Sequence, residues 1–259
     1  MENKQHNWGS FTSEELKQYI QHKNPVVVLP VGSYEQHGPH LTLDTDTDIG
    51  WAIAVKSVEG STYPCLLLPS LWAGVSAHHM GFCGTVTVSH ATLGALVRDI
   101  AASIKRHGVK KILLLNSHGG NQAVLQTVAE EISAPGDPEI VLVTYWNLIA
   151  AIVAAHRRTP KGGISHACEL ETSLKIYLKP QDVRMDKLKP NPIPGSEYCS
   201  PDMFAANRVN FPRPFHQVTE DGHIGDPTVA EAGFGQLTFE AAVKELQNVI
   251  RGFGEGNLC

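Results

Sequence analysis

The run Val26-Val27-Val28-Leu29-Pro30-Val31-Gly32 decides the fold of this chain. A short β-branched stretch ending in Pro and Gly reads as a buried strand that breaks into a loop. Lys111-Ile112-Leu113-Leu114-Leu115-Asn116 is a second and clearer strand, Leu66-Leu67-Leu68-Pro69 a shorter one, and Glu139 to Tyr145 a fourth. Strands that are apolar throughout leave no face for water, so helices must cover both sides of a parallel sheet.

Helical signals fill the intervals. Phe11 to His22 has Ser13 as a cap candidate and Glu14-Glu15 in its first turn. Ile49 to Val58 has apolar helical spacing after an acidic loop, and Ala91 to His107 is amphipathic and closed by Gly108. Further helices are expected over Asn121 to Ile132, Glu169 to Tyr177 and Pro227 to Gly252. Between Pro180 and Pro214, seven prolines mark an irregular excursion over the surface, suited to covering a site or touching another subunit. No repeat, low-complexity tract or linker divides residues 1–259, which read as one α/β domain.

The bulk composition narrows the function. A net charge of −5 with no basic stripe argues against a nucleic-acid binder. No stretch of 18 apolar residues suggests a membrane span. The polar start, Met1 to Ser10, lacks the apolar core of a signal peptide. Five cysteines (Cys65, Cys83, Cys168, Cys199 and Cys259) without a C-x-x-C pair suit reduced thiols in a cytoplasmic protein. Thirteen histidines are the unusual count, many of them in loops.

Three polar clusters follow strands, and in an open parallel sheet ligands gather outside the carboxyl ends of the strands. After Val26 to Gly32 come Glu35, His37, His40, Asp44, Asp46 and Asp48; after Leu66 to Pro69 come His78 and His79; at the end of the Lys111 run comes Asn116-Ser117-His118-Gly119-Gly120-Asn121. Hard oxygen and imidazole donors at strand ends suit a divalent cation. The Gly-Gly turn lacks the Lys and Ser/Thr of a P-loop, so the nucleotide reading is weak, and with it that of a phosphate-binding transferase. His166-Ala167-Cys168-Glu169-Leu170-Glu171-Thr172-Ser173 adds another cluster, in which the carboxylates either complement a helix N-terminus or serve a metal. Three clusters converging on one edge favour an enzyme.

These motifs, in this order and together with Gly81-Phe82-Cys83-Gly84-Thr85 and Gly222-His223-Ile224-Gly225-Asp226-Pro227, resemble the creatininase (creatinine amidohydrolase) family over about residues 26–235. The resemblance implies a three-layer α/β/α sandwich with a mostly parallel central sheet. It also implies two divalent ions, zinc or manganese with iron as a further candidate. Glu35, His37, Asp46 and His118 match the family's metal ligands, with Asp46 bridging the ions; His166 matches the histidine assigned to proton transfer, and Glu171 matches an acidic position in the same motif and is expected to be catalytic with it. His79, Trp146, Gly119, Gly120 and Asn121 are the expected substrate contacts. A closed homo-oligomer, with a hexamer among the candidates, is implied too, and Phe211-Pro212-Arg213-Pro214-Phe215 is a candidate subunit contact.

Two departures bear on substrate and metal. Creatininase proper has a ligating Glu where this chain has Gly120, and Glu169 is read as restoring that carboxylate. It also closes over its ring with two tryptophans; Trp146 matches one, and Gly162 or Gly163 stands at the other. The implied chemistry is hydrolysis of the C–N bond of a cyclic or related amide by a metal-activated water, with His166 protonating the departing nitrogen. Creatinine/creatine interconversion is one such reaction. The alternatives are a deformylase acting on the formamide of a pyrimidine nucleotide intermediate and, from another class, a non-catalytic metal-binding maturation factor.

Overall fold

The computed structural model describes residues 6–134, 136 and 138–258; the first half of the Met1 to Ser10 stretch, and Cys259, lie outside them. Helix α1 (Ser13–Lys23) leads into β1 (Val26–Val31), α2 (Thr45–Glu59), β2 (Cys65–Leu67), α3 (His90–Arg106), β3 (Lys111–Asn116), α4 (Gln122–Ser133) and β4 (Glu139–Thr144). The short helices α5 (Tyr145–Leu148) and α6 (Ala150–His156) precede β5 (Ile164–His166), α7 (Glu169–Leu178), β6 (Ile224–Gly225) and the long α8 (Ala232–Glu255).

The four main strands are parallel in the order β2-β1-β3-β4. Their side chains alternate between two cores, as the period of a strand requires. Val26, Val28, Leu113 and Leu115 pack with Ile49 and Ile53 of α2, Leu170 and Leu174 of α7, and Phe239, Leu246 and Ile250 of α8. Val27, Leu29, Ile112 and Leu114 pack with Ile20 of α1, Leu93 and Val97 of α3, and Leu125 and Val128 of α4. The result is the three-layer α/β/α sandwich. β1 lies between β2 and β3, so the chain leaves it toward one side and returns on the other. That reversal opens a crevice at the carboxyl ends of β1 and β3.

Three boundaries move. The acidic stretch expected to be a loop is the start of α2, which places Asp46 and Asp48 in its first turn; carboxylates there complement the positive end of the helix dipole. The cap of α1 is Thr12, not Ser13: Thr12 Oγ1 accepts from Glu15 N at 3.4 Å and Glu15 Oε2 accepts from Thr12 N at 2.7 Å. At the other end of the chain, Pro227–Val229 forms a single 3₁₀ turn and α8 begins only at Ala232. The Pro-rich excursion lies along the β5–β6 ribbon, with Asn191 exchanging backbone hydrogen bonds with Gly225 and Met203 N donating to Ile164 O.

Candidate metal centre

Glu35 and His37 follow β1, His118 follows β3, and Asp46 projects from the first turn of α2 into the same crevice. All four are nearly or fully buried. Asp46 Oδ1 lies 3.2 Å from His37 Nε2 and Oδ2 lies 3.1 Å from His118 Nδ1. His37 Nδ1–H donates to Glu35 O at 3.0 Å, and His118 Nε2–H to Val75 O at 3.0 Å. These carbonyls fix both tautomers, leaving the ring lone pairs aimed at Asp46, an arrangement characteristic of metal-ligating histidines. Asp46 Oδ2 is buried without a well-formed hydrogen bond.

β5 and the turn after it bring His166 and Glu171 to the same crevice. Ligand atoms of Glu35, His37 and Asp46 lie within 4.8 Å of one another, and so do those of His37, His166 and Glu171. The two groups share His37. Glu171 Oε2 accepts from Ala167 N at 2.5 Å, and Ala167 sits in the left-handed region with φ of 50°. This turn aims Glu171 inward. His166 Nε2–H donates to Gln36 O at 2.8 Å, which leaves Nδ1 as its acceptor, 3.8 Å from Glu35 Oε1.

The buried charges set one another's protonation. Burial disfavours the His37 cation, but Asp46 outweighs it and lifts the ring to about 9. Burial raises Glu171; the His37 charge pulls against that rise, and Asp46 adds to it. For Glu35, burial is outweighed by His118, and the carboxyl is held below its usual range. Burial and the neighbouring His37 charge keep His166 neutral, far below an ordinary imidazole. Borderline nitrogen and hard oxygen donors on buried side chains, with one carboxylate oxygen left over, fit zinc or manganese.

The sequence model of the creatininase family (creatinine amidohydrolase) matches residues 9–250. This chain belongs to the creatininase family. It is 33% identical over 248 residues to the mycofactocin precursor peptide peptidase of Mycolicibacterium smegmatis, covering 94% of this chain and 90% of that one. It is 26% identical over 258 residues to the creatinine amidohydrolase of Pseudomonas putida, covering 94% and 95%. A solved manganese creatininase superposes with a TM-score of 0.77 at 25% identity, covering 95% of this chain and 97% of the other. As a creatininase-family enzyme, the chain is a metal-dependent amidohydrolase.

The structure corrects the expected position of one carboxylate. Glu169 does not face the crevice: its oxygens accept from Arg158 N at 2.7 Å, Thr159 N at 3.0 Å and Thr159 Oγ1 at 2.6 Å. Those three donors absorb its charge and tie α7 to the preceding loop. Glu171, two residues on, points another way from the same helical turn and lines the crevice. Gly120 itself has no room for a side chain, since a Cβ there would lie 2.1 Å from Val75 O and 2.6 Å from His118 Nε2.

Of the expected substrate contacts, His79, Trp146, Gly119 and Gly120 line the crevice. Asn121 does not: its Oδ1 accepts from Val75 N at 2.9 Å and its Nδ2 donates to Gly32 O at 3.0 Å, so its amide is used in joining loops. Tyr34 packs at a tilt against Trp72, away from the crevice wall. Cys168 is no nucleophile, because burial pushes its thiol well above the ordinary cysteine range. Phe215, read as part of a subunit contact, lies 4.1 Å from the His79 ring and forms part of the crevice wall with Met203.

Gln36 is the positioning residue the sequence reading missed. Its Nε2 donates to His79 Nδ1 and to Gly222 O, each at 2.7 Å, and His79 Nε2–H then reaches Glu35 Oε1 at 3.2 Å. This accounts for the Gly222 landmark: φ there is +86°, and a Cβ would lie 1.9 Å from Gln36 Oε1. Ser76 Oγ donates to the other Glu35 oxygen at 2.6 Å. The Glu35–Gln36–His37 tripeptide thus supplies two candidate ligands and the residue that orients the groups around them.

Proposed function

We propose that this enzyme hydrolyses an amide bond in a peptide-like substrate longer than a single planar ring, as the name of its mycobacterial relative suggests. The observation carrying this reading is the shape of the site. The crevice, about 280 Å³, adjoins an apolar groove of about 660 Å³, and His78, Gly120 and Phe215 line both. Gly162 and Gly163 contribute nothing to the crevice wall, whose apolar part is Trp146, Met203 and Phe215. A small planar ring needs aromatic walls to supply its contact area; an extended chain draws it from a groove.

Glu35, His37, Asp46, His118 and Glu171 would hold two divalent ions. When bound, these supply a water activated near neutral pH and an electrophile for the scissile carbonyl. His166 is neutral, with its Nε2–H fixed on Gln36 O, so Nδ1 is the atom that takes a proton from the attacking water and returns it to the departing nitrogen. Gln36 and His79 hold Glu35 in place through both exchanges. Trp146, Met203 and Phe215 exclude bulk water from the reacting amide.

The test offers enzyme reloaded with zinc or manganese three substrates: mixed short peptides with apolar residues, creatinine, and an aminopyrimidine formamide. Products are identified by mass spectrometry. Peptide cleavage without creatinine turnover is expected. Turnover of creatinine or the formamide with peptides left intact would overturn the substrate assignment.

A further inference from the structure

Behind the crevice, α2 and α7 are joined by a buried ammonium. The Lys175 side chain is fully buried, and its Nζ lies 2.7 Å from Asp48 Oδ2, 3.4 Å from Asp182 Oδ2 and 3.6 Å from Asp44 Oδ1. Lys179 Nζ reaches the same Asp48 oxygen at 2.7 Å. The three aspartates have the spacing of a cation site, and the Lys175 ammonium is already the cation they surround. A buried charge with three carboxylates around it is held firmly, because moving any partner leaves charge uncompensated in a poorly solvated place.

The location of this clamp matters. Asp44 immediately precedes α2 and Asp48 lies four residues on, so they share a helix face; Asp46, between them, projects from another side toward His37 and His118. On α7, Lys175 is four residues after Glu171, one helical turn along the same face. Each helix therefore carries one carboxylate of the crevice and one end of the clamp, within a single turn of each other.

We propose that Lys175 is a positioning residue for the metal centre, holding the first turn of α2 against α7 so that Asp46 and Glu171 meet the ions at a fixed separation. This rests on the assignment of those two carboxylates as ligands. Residues that orient metal ligands from behind change metal affinity about 10–100-fold when removed.

The test compares Lys175→Met and Asp48→Asn with the wild type, using Arg98→Ala as a control that breaks an exposed ion pair on the opposite face. Metal-free proteins are titrated with zinc and with manganese by calorimetry, and melting temperatures are taken with and without metal. Asp48→Asn keeps the ammonium paired with Asp44 and Asp182, so it covers the case in which Lys175→Met does not fold. The expected result is a 10–100-fold weaker affinity for at least one ion in each clamp variant, a smaller metal-induced rise in melting temperature, and no change in Arg98→Ala. A purely structural clamp would lower both melting temperatures equally at unchanged affinity, and that result overturns the proposal. Failure of the wild type to bind two ions would remove the ligand assignment as well.

Discussion

Exchanging one carboxylate for an amide at two positions, two residues apart, separates ligand from scaffold. Glu171→Gln removes a negative oxygen from a group that sits within 4.8 Å of His37 and His166 ligand atoms and makes one hydrogen bond, from Ala167 N. An amide at this point is a poor ligand, and the expected outcome is loss of one metal equivalent or at least a 100-fold weaker second site, roughly 3 kcal/mol at 1.4 kcal/mol per decade. The metal-free protein should lose little stability, because the substitution relieves a buried carboxylate beside Asp46 and Glu35. Glu169→Gln does the opposite. It weakens three hydrogen bonds to an ionised acceptor, each worth about 1.5–3 kcal/mol. Part of that survives through the amide oxygen, so a loss of about 2–4 kcal/mol is expected, with two metals retained. Metal content after reloading, measured by inductively coupled plasma mass spectrometry, and urea unfolding read the two effects separately. A Glu169→Gln protein that loses an ion, or a Glu171→Gln protein that keeps two at wild-type affinity, would refute the assignment.

His166→Asn should lower kcat about 10²–10⁴-fold with two metals still bound; steady-state kinetics on the best substrate decide it, and unchanged kcat would take the proton transfer away from this ring. His40 is buried, donates from Nε2 to Ala167 O at 3.1 Å and leaves Nδ1 unpaired. Burial and the facing His223 lower it to about 4. Because its folded value lies below the unfolded value of about 6.5, its contribution is complete above pH 6.5 and is lost as pH falls from there to 4. Linkage gives about 3 kcal/mol over that interval. Metal-free His40→Gln, which retains an N–H for Ala167 O, should show a flatter stability profile across the same range; an unaltered profile would contradict this.

Much of the fold was legible because β1 and β3 are apolar on both faces, and only a parallel sheet covered by two helical layers gives such strands no exposed side. The start of α2 was not, since Thr45-Asp46-Thr47-Asp48 has the composition of a polar loop, and only helical backbone turns it into a dipole-stabilised first turn. Glu35, His37, Asp46 and His118 were legible as neighbours from their placement after strands, and His166 joined them through the family resemblance. The choice between Glu169 and Glu171 was not. Two residues on a helix differ by about 200° in direction, and what settles the matter is the Arg158–Thr159 turn, which reaches Glu169 from a preceding loop. Asn121 was misread for a similar reason, its amide being consumed by Val75 and Gly32 from loops far away in sequence. Gln36, Met203 and Phe215 enter the site through contacts with segments distant along the chain, which no local pattern encodes.

The most direct measurement is the number of divalent ions the metal-free chain takes up with micromolar or better affinity, titrated with zinc and with manganese for the wild type and for Asp46→Asn. Two per chain in the wild type, with both sites weakened by the single change at the carboxylate placed between His37 and His118, is the predicted result. No tightly held ion, or two ions undisturbed by Asp46→Asn, would contradict the account.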